Sequence, residues 1–159
     1  PVRGWAYSKL LSEATRKRLG EALRKRSRVW AVASASVAEI DRFNILQATL
    51  LAMRRAVEAL DVVPDEAWVD GDRCPELPCR ARAFVRGDRL HAVIAAASIL
   101  AKTARDAEMR RLHALYPQYG LDRHKGYPTP EHLRLNRRLG VCEIYRRSFA
   151  PVRRLLPGA

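Results

Sequence analysis

Two aspartates stand beside glycines at the ends of apolar runs. Asp70 closes EAWVD and is followed by Gly71, and Asp88 follows ARAFV after an Arg86-Gly87 step. A carboxylate at the C-terminal end of a strand lies where open α/β sheets take their ligands. Two of them from separate strands can converge on a divalent cation, because Mg²⁺ is held by one or two carboxylates together with waters and phosphate oxygens. In phosphodiester cleavage, paired ions about 3.5–4 Å apart steady the attacking and leaving oxygens. The same dipeptides are also ordinary turn signals, so spacing alone leaves both readings open.

A second candidate is the loop DRHKGYPT (122–129). His124 and Lys125 offer charge, Gly126 permits close backbone approach, and Tyr127 offers a flat ring. A base or sugar can stack on such a ring while Lys125 takes a phosphate. The competing reading is a surface loop whose tyrosine plugs back into the core. The run IAAASILAK could aim free N–H groups at a phosphate; its small residues equally suit a helix packed close to a sheet. Lys102 and Asp106, one turn apart, read as a solvated pair. His113, among Leu112 and Leu115, reads as structural.

These side chains need a scaffold of alternating strands and helices. Residues 12–27 begin at Ser12, an N-cap candidate, and are rich in helix formers. Residues 28–34 (RVWAVAS) are short, apolar and β-prone, and predict a strand. Ser36 with Glu39 three later forms a capping box for a brief helical turn over 36–41. Over 44–60, Ile45, Thr49, Ala52, Met53, Ala56, Val57 and Leu60 recur at helical spacing, with Asn44 as the cap. EAWVD (66–70) and ARAFV (81–85) predict strands around a Pro-rich loop. Residues 94–116 predict a long helix, 130–140 a helix ended by Gly140, and 149–158 a last one. The alternation points to an α/β layer structure forming a single domain over 1–159.

The chain has 159 residues with 30 Lys+Arg against 17 Asp+Glu, a formal charge of +13. Such a balance, dominated by arginine, favours a polyanionic partner, and nucleic acid above all. An arginine-rich but merely soluble surface is the plainer alternative. No apolar run approaches the roughly 18 residues a membrane helix needs, so no membrane role is expected. Cys74, Cys79 and Cys142 form no CxxC pair, which argues against a disulfide framework or zinc knuckle and for reduced, cytoplasmic thiols.

Taken together, SKLLSE, EIDRFNILQATLLAMRRAVEAL, VDGDRCPELP, RGD, IAAASILAKTARD, YPQYGLDRHKGYPT and RRSFAPVR resemble bacterial ribonuclease HII, in order and spacing through nearly the whole chain. The resemblance implies an RNase H-like fold, a mixed sheet flanked by helices. It implies an endonuclease acting on RNA/DNA hybrids and cutting 5′ of a ribonucleotide embedded in duplex DNA. The implied cofactor is Mn²⁺ or Mg²⁺ held by four carboxylates. Asp70 and Asp88 match two of those metal-binding, catalytic aspartates. Tyr127 matches a tyrosine that packs on the sugar after the ribonucleotide. Lys9 resembles a backbone-contacting lysine, and Asn44 and Gln47 match positions facing the DNA strand.

The departures are as specific as the matches. The family's D-E-x-G-R-G motif, which implies the other two carboxylates and much of the reading of the 2′-hydroxyl that separates RNA from DNA, is nowhere in this sequence. The family's DSKKL stands here as YSKLL, with Tyr7 and Leu10, and its KGD as RGD, with Arg86. The chain therefore looks like an N-terminally incomplete copy. Without neighbours, RVWAVAS and the edge of EAWVD would expose unpaired backbone, predicting a protein that is unstable, dimerised or rearranged there. A non-catalytic nucleic-acid-binding remnant of the same fold is the alternative function. A basic ribosome-associated protein fits the charge but explains neither aspartate.

Overall fold

The structure, a computed structural model, describes residues 11–156. In chain order its elements are α1 (Glu13–Arg26), α2 (Val37–Glu58), β1 (Glu66–Asp70), β2 (Arg80–Phe84), α3 (Gly87–Leu90), α4 (Ala92–Leu115), a 3₁₀ turn (Pro117–Tyr119), α5 (Leu121–His124), α6 (Pro130–Leu139) and α7 (Ala150–Arg153). The described residues fall into two compact units. One is drawn from the chain up to Ser34 and from Leu50–Ala104, the other from Ala35–Thr49 and from Arg105 onward.

In the first unit, α1 starts where expected because the Ser12 hydroxyl accepts the Thr15 N–H at 3.2 Å. Glu13 in its first turn and Arg24, Lys25 and Arg26 in its last suit the helix dipole. Its apolar stripe buries Leu23 with Ile99 and Leu100 of α4, and Leu19 and Ala96 pack on the same cluster. Full burial of one such side chain contributes about 1.5–3 kcal/mol. The two strands run parallel, with Glu66 opposite Arg80 and Asp70 opposite Phe84. Val69 is buried, while Trp68 and Asp70 face outward, so the sheet has one packed face and one open face. The second strand begins and ends one residue before the 81–85 expected.

The strand expected at 28–34 does not form: Trp30 and Val32 are exposed there, and no strand is assigned over this stretch. β-propensity yields a strand only when a ladder partner exists, and among the described residues only β1 and β2 pair. The segment is held instead by side chains. The Arg24 guanidinium lies over the Trp30 ring, and Arg55 Nη1 donates to the Ser34 carbonyl at 3.2 Å.

The capping box at Ser36 is present: the Ser36 N–H donates to Glu39 Oε2 at 2.8 Å and the Glu39 N–H to the Ser36 hydroxyl at 3.2 Å. The helical turn it starts runs straight into the helix expected from residue 44, and the two meet at Asn44, whose φ of 69° breaks the helical path. Asn44 Oδ1 accepts the N–H groups of Leu46 and Gln47, which makes it the internal cap of the second piece. In the second unit, Tyr119, Leu121, Tyr145 and Val152 form the core, with Leu112, Tyr116 and Phe149 packed on it. Asp41 ties the unit across the sequence, accepting the Arg147 and Ser148 amides at 2.9 and 2.8 Å and the Ser148 hydroxyl at 2.6 Å. Thr129 caps α6 and Gly140 follows it at φ 75°. The last helix is shorter than the 149–158 expected, ending at Arg153.

Candidate functional site

Asp70 is the last residue of β1, and its ladder partner Phe84 is the last of β2. Arg86 then takes a left-handed conformation, φ 57° and ψ 37°, which turns the chain sharply. That turn delivers the Gly87 N–H to Asp70 Oδ1 at 2.8 Å. Asp88 follows at once, in the first turn of α3 and only 8% exposed. The two aspartates expected to converge therefore sit on adjoining segments joined by a hydrogen bond. Gly87 is required by space as well: a Cβ there would lie 2.6 Å from Ile94 Cδ1 and 3.0 Å from Phe84 Cβ. Ile94, near the start of α4, thus closes over this glycine.

A ring of apolar surface backs Asp70. Trp68, Phe84 and His91 meet with centroids 5.1, 4.7 and 4.3 Å apart. Asp70 is oriented by a backbone amide rather than a guanidinium, and a carboxylate with about four lone-pair sites keeps acceptor capacity after one such bond. Two carboxylates alone form a hard, oxygen-only donor set. That suits Mg²⁺ or Mn²⁺ completed by water and phosphate oxygens, and does not suit zinc. Among the described residues no group of three His, Cys, Asp or Glu side chains could hold a metal ion, so the pair has no third protein ligand there.

The remaining expected contacts lie elsewhere in the chain. Lys9 is outside the described residues. Asn44 and Gln47 are exposed in the second unit, where Asn44 spends its side-chain oxygen on capping. Tyr127 is 58% exposed, which excludes the reading that it plugs into the core. Lys125 caps α5 in a left-handed conformation, φ 50°. His124, expected to supply charge, is 5% exposed, and its Nδ1 accepts the Gly126 N–H at 3.1 Å. An accepting nitrogen carries no proton, so this ring is a structural group rather than a cation.

Four residues have surroundings that the sequence pattern hid. Arg105 reaches the loop: a Cβ on Gly126, whose φ is 83°, would lie 3.2 Å from its Nη2. Burial first, and then the neighbouring charge of Arg146, lower its pKa from the usual guanidinium value. Met109, four residues on, approaches the same glycine, so the i, i+4 spacing was a signal, readable only once the loop's position was known. Asp106, read as solvated, is 3% exposed. Asp41 carried no signal that it would bind a segment more than a hundred residues away.

The Ribonuclease HII family model matches residues 3–152. Ribonuclease HII of Azoarcus sp. strain BH72 is 59% identical over 156 residues, 98% of this chain and 76% of that protein. Ribonuclease HII of Nitrosomonas europaea is 57% identical over 151 residues, 94% of this chain and 70% of that protein. The crystal structure of ribonuclease H2 from Pyrococcus horikoshii OT3 superposes with a TM-score of 0.79 at 23% identity, covering 96% of this chain and 80% of that one. That likeness places the chain in the RNase H-like α/β fold, although the described residues contribute two parallel strands where a mixed sheet was expected. No helix of the described residues is long and apolar enough to cross a membrane.

Proposed function

The chain belongs to the ribonuclease HII family, hydrolases of ribonuclease H type 2, and from that premise we propose an endoribonuclease. It acts on RNA/DNA hybrids and cuts 5′ of ribonucleotides embedded in duplex DNA, with Asp70 and Asp88 holding the divalent ion. The observation that carries this reading is the Gly87 N–H on Asp70 Oδ1, which fixes one carboxylate beside the segment bearing the other. Bound there, Mg²⁺ or Mn²⁺ would activate a water and stabilise the leaving 3′ oxygen, giving 3′-hydroxyl and 5′-phosphate ends.

The chain's own residues bind and orient. Asp70 presents a carboxylate whose direction is set by a backbone amide. Asp88, largely withdrawn from water, presents a second whose attraction for a cation is less screened. Tyr127 stacks on a sugar of the duplex and Lys125 meets its phosphates. Lys9, Asn44 and Gln47 touch the backbone of the DNA strand. The surplus of cations, 30 against 17 acids, supplies sequence-independent attraction that weakens with salt.

Residues 1–159 hold two of the four carboxylates that the family resemblance implies, and no third ligand joins them among the described residues. That favours a second reading, a nucleic-acid-binding protein without chemistry of its own. Incubating the purified 159-residue chain with Mn²⁺ and a duplex containing one ribonucleotide separates the two. The expectation is binding to the duplex with slow nicking that D70N abolishes. Nicking that survives D70N would refute the assignment of Asp70, and binding without any nicking would establish the second reading.

A further inference from the structure

The loop carrying Tyr127 is anchored by two buried imidazoles. His124 and His132 are 5% and 3% exposed, and their rings stack with centroids 3.8 Å apart and planes 10° from parallel. Each grips the backbone next to, or at, the exposed tyrosine. His124 Nδ1 accepts the Gly126 N–H at 3.1 Å, and its Nε2 lies 2.7 Å from the Tyr119 carbonyl. His132 Nδ1 lies 2.8 Å from the Tyr127 carbonyl, and its Nε2 lies 3.1 Å from the Tyr145 hydroxyl.

The partners dictate where the protons sit. An amide N–H can only donate, so His124 carries its proton on Nε2 and gives it to Tyr119. A carbonyl can only accept, so His132 carries its proton on Nδ1 and gives it to Tyr127. His124 is therefore the Nε2–H tautomer and His132, as an uncharged ring, the opposite Nδ1–H one, and two uncharged imidazoles stack without repulsion. Burial lowers the His132 pKa despite the bond to Tyr127, which keeps this ring uncharged. Gly126 sits between the two grips at φ 83°, with the Arg105 guanidinium close against it. A side chain would strain the turn at this point.

Resting on the reading of Tyr127 as a substrate contact, we propose that His124 and His132 are positioning residues. They fix the backbone at Gly126 and Tyr127, so that the tyrosine ring is already aimed when nucleic acid arrives. The order is set before binding, so the duplex does not have to pay for it in lost chain entropy.

Asparagine and glutamine variants separate the two nitrogens of His132. An asparagine amide reaches the Nδ1 position and keeps a bond to the Tyr127 carbonyl, whereas a glutamine reaches the Nε2 position and keeps only the one to Tyr145. Affinity of the 159-residue chain for a labelled RNA/DNA hybrid is measured by anisotropy in EDTA, with melting curves checking that each variant is folded. Y127A is expected to weaken binding about tenfold, the loss of one stacking contact. H132Q is expected to weaken it severalfold, H132N by less than about twofold, on the scale of that same contact. H132Q adds nothing in the Y127A background. Equal losses in H132N and H132Q, or an H132Q loss that persists beside Y127A, would overturn the proposal. An unaltered affinity in Y127A would instead remove the substrate reading of the tyrosine. Amide exchange then still tests the anchor: H124Q should lose protection at Gly126 while Lys125, bonded to the Leu121 carbonyl, keeps its own. Unchanged exchange at Gly126 would overturn it.

Discussion

The Gly87 amide nitrogen lies 2.8 Å from Asp70 Oδ1, so the residue that precedes one acid holds the other in place. This bond couples the end of β1 to the start of α3. It also makes the RGD step a structural device: Arg86 turns the chain, Gly87 fits under Ile94 and Phe84, and Asp88 follows the residue bonded to Asp70.

Gly87→Ala tests that device. The added methyl meets Ile94 Cδ1 at 2.6 Å and Phe84 Cβ at 3.0 Å, an overpacking that costs about 1–3 kcal/mol. Urea denaturation should show the free energy of unfolding falling by that amount, with a lower midpoint. A midpoint equal to wild type would mean that the segment moves freely and does not fix Asp70.

Asp41 makes the second unit acid-sensitive. Burial raises its pKa, but the Ser148 side-chain and backbone hydrogen bonds, the Arg147 amide and the Arg146 charge together lower it below 3.8. A depressed carboxylate stabilises the fold above its unfolded pKa, and that stability is lost as pH falls through the folded one. Asp41→Asn should therefore cost about 1 kcal/mol at pH 7, with the gap to wild type narrowing below pH about 4. Urea curves at both pH values check this, and a gap that is constant with pH would contradict it.

The two-stranded sheet should be the weak part of the first unit. An isolated pair of strands is marginal in water, whereas α4 buries Ile94, Ile99 and Leu100. In native-state hydrogen exchange, the Gly71 amide, bonded to the Phe84 carbonyl at 3.0 Å, should exchange well before that of Ile99. Equal protection at the two, together with one sharp melt of a monomer, would contradict it.

The longer helices were legible in the sequence because their signals are local, whereas the short α3 and α5 were not expected. Ser12, the Ser36–Glu39 box, Asn44 and Gly140 each act within one turn of chain, and each is found at a helix end or, for Asn44, at the break inside α2. RVWAVAS misled for the opposite reason: a strand depends on a partner that the segment cannot specify. Asp70 was readable as an acid at a strand end, but the amide of Gly87 that holds it depends on the left-handed turn at Arg86, a conformation that an arginine does not announce. His124 was misread as a charge because its two hydrogen bonds come from the Gly126 amide and the Tyr119 carbonyl, and composition says nothing of either.

The central claim is that Asp70 and Asp88 together hold a divalent ion, and paramagnetic broadening by Mn²⁺ tests it most directly, even for weak binding. Titrated into isotope-labelled protein, Mn²⁺ should broaden the amide signals of Gly71, Gly87 and Asp88 first. In a folded D70N/D88N variant that selective broadening should disappear. Broadening centred elsewhere in the chain, or unaltered in the double variant, would contradict the claim.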